Sequence, residues 1–238
     1  MKQQRTLAII GGMSWESTLT YYKLINEGVR ESLGGQHSAD ILMHSLDFAH
    51  IEALQAQGDW EAMAQVMEDS AKRLKLAGAE GLLIATNTMH KLADNVIKAS
   101  GLPLIHIADA TVSAIQAKGL NKIALLGTKF TMGDASDNAT HFYKSRFIEA
   151  GIDVIVPDDT QQNVVHSIIY DELCQGVINA KSKTAFIQVI RSLSEQGAQG
   201  VILGCTEIGL LINSNDSHIP VFDTAHIHAN AGVRFLLS

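Results

Sequence analysis

Two residues whose side chains can move a proton stand at matched places in the chain. Thr86 follows Leu82-Leu83-Ile84-Ala85, and Cys205 follows Val201-Ile202-Leu203-Gly204; the stretches 78–86 and 197–205 align at a single offset, 205 − 86 = 119. An apolar run ending in small polar residues is how a buried parallel strand delivers a side chain to the functional edge of an α/β sheet. The loop after Gly11 adds Met13 and Ser14, and the loop after Gly127 adds Thr128 and Thr131. Asn87 and Thr88 follow Thr86, and Thr206 follows Cys205. The inventory is hydroxyls, an amide, backbone N–H groups and one thiol. It suits an anion, because such neutral donors at helix N-termini hold carboxylates or phosphates, the dipole adding roughly 0.3 to 1 kcal/mol per charge. Those loops hold no carboxylate pair, no Ser-His-Asp order and no metal-ligand cluster.

The thiols and imidazoles divide by context. Cys205 lies between Gly204 and Thr206 at an expected helix start, where a thiol pKa is lowered, so it reads as reactive rather than as a small buried hydrophobe. Cys174, after Ile168-Ile169-Tyr170 in an expected helix, reads as packing. His44, His90 and His228 read as hydrogen-bonded structural histidines, the last two close to site loops. Gly11-Gly12 before a helix hints at a dinucleotide fold, but the third glycine of that fingerprint is absent and the second strand has no acidic residue at its tip.

The elements that must position these residues follow from periodicity. Leu7–Ile10, Ile41–Met43, Leu82–Ala85 and Pro103–Ile107 read as strands; Thr18–Leu33, a stretch capped by Asp59 that carries Trp60, Met63, Met67 and Leu74, and Asp109–Lys118 read as helices. The second half repeats this programme. Ile123–Gly127 matches Leu7–Gly11 at an offset of 116, and Pro220–Asp223 matches Pro103–His106 at 117. Asp153–Val156 adds a strand, and 164–174, 184–193 and 224–237 read as helices. Agreement among offsets of 116, 117 and 119 points to internal duplication. The expected fold class is therefore α/β, with two pseudo-symmetric lobes, each a short mostly parallel sheet flanked by helices, and a site in the cleft between them. The first lobe is placed at 1–118 with the C-terminal helix 224–238 packing back on it, and the second at 119–223. The polar stretch 131–140 is expected to be a mobile loop.

Bulk properties bound the partners. A chain of 238 residues with 46% hydrophobic residues has an ordinary globular composition. Its formal charge of −7, without a basic run, argues against nucleic acid. No apolar stretch is long enough for a membrane span or a signal-peptide core, so the expectation is a cytoplasmic protein. With Cys174 and Cys205 as the only cysteines, a disulfide framework is not expected.

Ile10-Gly11-Gly12-Met13-Ser14-Trp15-Glu16-Ser17, Thr86-Asn87-Thr88-Met89-His90, Gly127-Thr128-Lys129-Phe130-Thr131-Met132 and Gly204-Cys205-Thr206-Glu207-Ile208, with Pro220–Thr224 near the end, resemble the aspartate/glutamate racemase family over essentially the whole chain. The likeness is nearest to its broad-specificity or L-Asp/Glu-specific bacterial members. The resemblance implies an isomerase that needs no cofactor or metal, acts on a small amino acid, and is often a homodimer. It implies two catalytic residues, Thr86 and Cys205, one per lobe, working on opposite faces of the substrate α-carbon. It assigns Asn87, Thr88, Thr128, Thr131 and Thr206 to the carboxylate, and Met13, Ser14 and Gln55 to the neighbourhood of the substrate side chain. The chain departs from the family at Thr86, where many members have Cys. A Thr hydroxyl donates a proton but is a very poor base at neutral pH, which leaves Cys205 as base on an L-substrate. A second departure lengthens the polar segment before Phe142-Tyr143. Two other functions stay open: a single-thiol decarboxylase or isomerase of small dicarboxylic acids, and a non-catalytic carboxylate-binding protein.

Overall fold

Strand β1 (Leu7–Gly11) is buried at every residue, as a strand covered on both faces must be. It pairs in parallel with β2 (Ile41–Ser45) on one side and β3 (Gly81–Ile84) on the other. The computed structural model describes residues 4–133 and 141–238, apart from the side chains of residues 141 and 142. Of the polar stretch 131–140 expected to be a mobile loop, Thr131 and Met132 instead close a short helix, Lys129–Met132, and are buried; residues 134–140 lie outside the described residues.

Around this three-stranded sheet, in the order β2-β1-β3, run α1 (Trp15–Leu33), α2 (Phe48–Gln57), α3 (Trp60–Leu76) and α4 (Ala93–Ser100). Each start has a sequence cause. Ser14, Asp47 and Asp59 accept backbone N–H bonds from Ser17, Ala49 and Ala62 at 3.3, 3.2 and 3.0 Å, satisfying donors that the first helical turn leaves open. Helix α1 thus begins at Trp15 rather than Thr18, because Ser14 caps it. Helix α2, which periodicity does not reveal, buries only Ile51 and Gln55. Pro103–Ile107 is not a full strand: it makes one parallel bridge, Leu82 to Leu104, before the chain turns into α5 (Ile107–Gln116).

The second lobe is a four-stranded parallel sheet, order β5-β4-β6-β7, built from β4 (Lys122–Leu126), β5 (Asp153–Ile155), β6 (Val201–Leu203) and β7 (Val221–Asp223). Its helices are α6 (Lys129–Met132), α7 (His141–Glu149), α8 (Asp159–Asp171), α9 (Ala180–Glu195) and α10 (Ile208–Leu211). The side-chain alternation of a strand divides the core between the two faces. Ala124 and Leu126 join Val165, Ile169, Phe186 and Ile190 on one face. Ile123 and Leu125 join Ile107, Ile115, Tyr143 and Phe147 on the other. Burying each such Leu, Ile or Phe contributes about 1.5 to 3 kcal/mol.

The duplication extends to register. Ala8 lies opposite Leu42 and Leu82, and Leu82 bridges Leu104; Ala124 lies opposite Ile155 and Val201, and Val201 pairs with Val221. The offsets 124 − 8 = 116, 201 − 82 = 119 and 221 − 104 = 117 are those of the sequence repeats. The two compact units are Met1–His106 with His228–Ser238, and Ile107–Ile227. The boundary set at 118 therefore moves to 106, because Ile107, Ala108 and Ile115 of α5 pack into the core of the second sheet. Helix α11 (Thr224–Leu236) ends on the first lobe, where Arg5 N–H donates to the Leu236 carbonyl at 3.0 Å and Phe235 packs on Gly81.

Candidate active site

The carboxyl edge of each sheet carries its own set of polar groups. In the first lobe β3 runs into Ala85, whose N–H donates to the Ile10 carbonyl at 2.9 Å, and Thr86 comes next. Thr86 is half-buried while Asn87, Thr88 and His90 beside it are buried, so its side chain is the one partly open to solvent. The Ser17 hydroxyl donates to the Ala85 carbonyl at 3.0 Å and ties the start of α1 to the end of β3. Ser14 is brought to this edge as the α1 cap, its carbonyl accepting the Thr18 hydroxyl at 2.9 Å while Gly12 N–H donates to Thr18 at 2.7 Å. Met13 packs in the lobe core with Ile10 and Ile84. Gln55, on α2, is 8% exposed, and among the described residues its Oε1 has no hydrogen-bond partner. Leaving such an acceptor empty costs about 1–3 kcal/mol.

In the second lobe β4 and β6 end side by side. Gly204 N–H donates to the Leu126 carbonyl at 2.5 Å, and a Cβ on Gly204 would sit 2.8 Å from that oxygen and 2.6 Å from Leu125 Cδ1. A Cβ on Gly127 would meet the Gly204 carbonyl at 3.1 Å. The two glycines let the strand ends approach, and a Cβ on Gly204 would also lie 3.4 Å from Thr131 Cγ2. The Thr128 and Thr131 hydroxyls are 3.3 Å apart, and Thr131 and Met132 N–H both donate to the Thr128 carbonyl at 2.9 Å.

Cys205 is a free thiol, 9% exposed. Its Sγ–H donates to Glu207 Oε2 at 2.9 Å, and the Thr206 hydroxyl donates to the same oxygen at 2.9 Å. Burial first, then the Glu207 charge, Cys174 and the hydrogen bond to Glu207, push the thiol well above its ordinary value of 9.0. This corrects the sequence expectation of a lowered pKa. Helix α10 starts only at Ile208 and is four residues long, so its dipole is small beside a buried carboxylate touching the sulfur. Cys174 packs against the same core as Cys205.

Glu207, which accepts from the Cys205 thiol, is the residue of this edge that sequence reasoning passed over, although it stands in the quoted Gly-Cys-Thr-Glu run. The signal was available: an acidic residue two positions after a thiol at a strand end reaches back to it once the chain turns. Among the described residues no group of three or more His, Cys, Asp or Glu side chains is placed to hold a metal ion, and no helix is long and apolar enough to cross a membrane.

Two parallel sheets of matching register, with Thr86 and Cys205 after the same strand of each, define an α/β protein built from a duplicated unit. A model of the Asp/Glu/hydantoin racemase family matches residues 10–232. The chain belongs to that family. It is 51% identical to a proposed Asp/Glu racemase from Yersinia pestis, over 98% of this chain and all of that one, with a TM-score of 0.89. An aspartate racemase homologue from Pyrococcus horikoshii is 35% identical over the full length of both chains, with a TM-score of 0.83. The broad specificity amino-acid racemase RacX of Bacillus subtilis is 23% identical over 98% of both chains.

Proposed function

We propose that the protein is an amino-acid racemase that acts on L-aspartate or L-glutamate by two-base α-proton transfer, without pyridoxal phosphate. The observation that carries the reading is the equivalence of Thr86 and Cys205. Each stands two residues beyond the end of the same strand of its own sheet, at the offset of 119 that also relates β3 to β6 (201 − 82).

Cys205 is the base for the L-substrate. Its thiol already donates to Glu207, so moving that proton onto the carboxylate makes a thiolate beside a neutral acid with no change in net charge in a buried place. The thiolate then takes the α-proton. Thr86 returns a proton to the opposite face from its hydroxyl and regains one from water, since an alkoxide is too unfavourable to persist. Asn87, Thr88, Thr128, Thr131 and Thr206 hold the substrate carboxylate, and preorganised donors there stabilise the carbanion by several kcal/mol. Gln55 Oε1 accepts from the substrate, which would end its lack of a partner, and Met13 and Ser14 lie towards the substrate side chain. The same reading places the enzyme in the cytoplasm as a homodimer; sedimentation at two protein concentrations tests the assembly.

The test of function is incubation with L-aspartate and L-glutamate in heavy water. α-Deuteration is expected in the wild type and is lost in Cys205→Ser; no exchange with any amino acid of either hand sinks the proposal. One observation favours a second reading. A resting thiol with a raised pKa is suited to protonating a carbanion left by decarboxylation, and release of carbon dioxide from a substituted malonate would mark that chemistry.

A further inference from the structure

The first lobe contains a cluster of three imidazoles and a phenol behind Thr86. His90 Nδ1 lies 2.8 Å from the Thr86 carbonyl oxygen. A carbonyl oxygen only accepts, so Nδ1 carries the proton and donates it. The backbone N–H of the same residue donates to the Asn87 carbonyl at 3.1 Å. His90 thus closes the Thr86–Asn87 turn twice, once with its ring and once with its main chain. The ring is buried and packs edge-on to His106, at 4.6 Å between centroids, and to His228, at 5.4 Å.

His228 is itself fixed. Its Nε2 donates to the Ile105 carbonyl at 2.7 Å, which leaves Nδ1 to accept the Tyr21 hydroxyl at 2.9 Å. Burial, with a smaller contribution from His90 and against the pull of the Ile105 carbonyl, lowers its pKa to about 3. It is neutral at physiological pH, in the tautomer those partners demand. The second lobe does the corresponding job differently. The counterpart of His90 at the 119 offset is Gly209, which has no side chain, and the Cys205 carbonyl accepts the Ile208 backbone N–H at 3.1 Å.

We infer that His90 is a positioning residue for Thr86: its Nδ1–H holds the Thr86 carbonyl and so fixes where the hydroxyl is presented, with His228 and His106 locking the ring. This rests on the racemase reading, in which Thr86 serves inversion and Cys205 alone serves exchange on the L-substrate. A ring that orients one of two partners has a separable effect, since misplacing a reacting group by about 1 Å costs on the order of 100-fold.

The experiment compares wild type with H90F, which fills the space without a donor, and H90N, whose amide N–H takes the place of Nδ1. Each is incubated with L-aspartate in heavy water, and D-product and α-deuterated L-substrate are counted separately by chiral chromatography and mass spectrometry. H90F is expected to lower inversion relative to exchange by on the order of 10- to 100-fold with KM little changed, and H90N to restore the wild-type ratio within a few-fold. A wild-type ratio in H90F, or an H90N as poor as H90F, overturns the inference. If the wild type exchanges no α-proton, the function fails, and the position of His90 is then judged by the Asn87 amide signal in ¹H–¹⁵N NMR. That amide is bonded directly to the Thr86 carbonyl carbon; H90F must shift it and H90N must bring it back, and an unmoved signal overturns the positioning role independently.

Discussion

Replacing Glu207 with Gln asks whether the carboxylate is the proton acceptor for Cys205. Gln keeps the shape and an oxygen for the Thr206 hydroxyl, but removes the charge 2.9 Å from Sγ. Two unit charges at that distance interact by about 6 kcal/mol at an effective dielectric near 20. The thiol pKa must fall as that repulsion is lost. It does not reach neutrality, because burial, the largest of its causes, is untouched and alone keeps it above the ordinary 9.0. With no internal acceptor left, the variant depends on solvent to take the thiol proton, so α-deuteration of L-aspartate is expected to climb about tenfold per pH unit from pH 7 towards pH 9, where the wild type, whose acceptor is Glu207, is expected to change little. Alkylation by iodoacetamide should meanwhile show a lower midpoint than in the wild type. A pH profile of exchange unchanged from the wild type would refute the role given to Glu207, and an unmoved alkylation midpoint would refute the electrostatics.

Thr86→Cys supplies a competent base on the second face and is expected to raise racemisation by on the order of 100-fold from both L and D, read by polarimetry. For His228, the folded pKa of about 3 against an ordinary 6.5 means the unfolded chain binds the extra proton between those values, so stability is full above pH 6.5 and falls as pH drops. From pH 7 to pH 5 that loss is about 2 kcal/mol, and urea unfolding of His228→Gln should show a shallower pH dependence by that amount. Gly204→Ala puts a Cβ against the Leu126 carbonyl and Leu125 and is expected to cost about 1–3 kcal/mol, measured by the same unfolding assay.

What could be read from sequence was whatever the chain writes as a local pattern. Leu7–Ile10 and Ile123–Leu126 are continuous apolar runs because strands covered on both faces have no polar side to show. Their offsets against Leu82 and Val201 foretold the register, since a repeat that kept its spacing had to keep its pairing. The lobe boundary was not legible: the apolar face of α5 states that it packs, but not on which sheet. Helix α2 was hidden because it leaves most of its surface exposed and so carries no stripe. The state of Cys205 was misread for a different reason. A strand end before a helix suggests a stabilising dipole, whereas the decisive charge is on Glu207, and its approach to Sγ depends on how three residues turn at the end of β6.

The asymmetry between Thr86 and Cys205 has a limit set by equilibrium. Enantiomers have equal free energy, so a hydroxyl in place of one thiol cannot tilt the balance between L and D; it raises a barrier that both directions share. What it can change is the ratio of exchange to inversion, and this differs with the starting hand. Under the proposed two-base reading, Cys205 removes the α-proton of the L-substrate and can return a deuteron to the same face, so exchange outruns inversion. From the D-substrate the α-proton faces Thr86, which must act as a base before anything else happens. Once that slow step is made, Cys205 is the better acid on the far face, and the carbanion collapses mainly to L. Deuterium should therefore enter the L-substrate without inversion and appear from the D-substrate almost only in L-product. Recovery of α-deuterated D-substrate early in the reaction, faster than L-product forms, would mean that the group facing the D-proton is a competent base and is not Thr86.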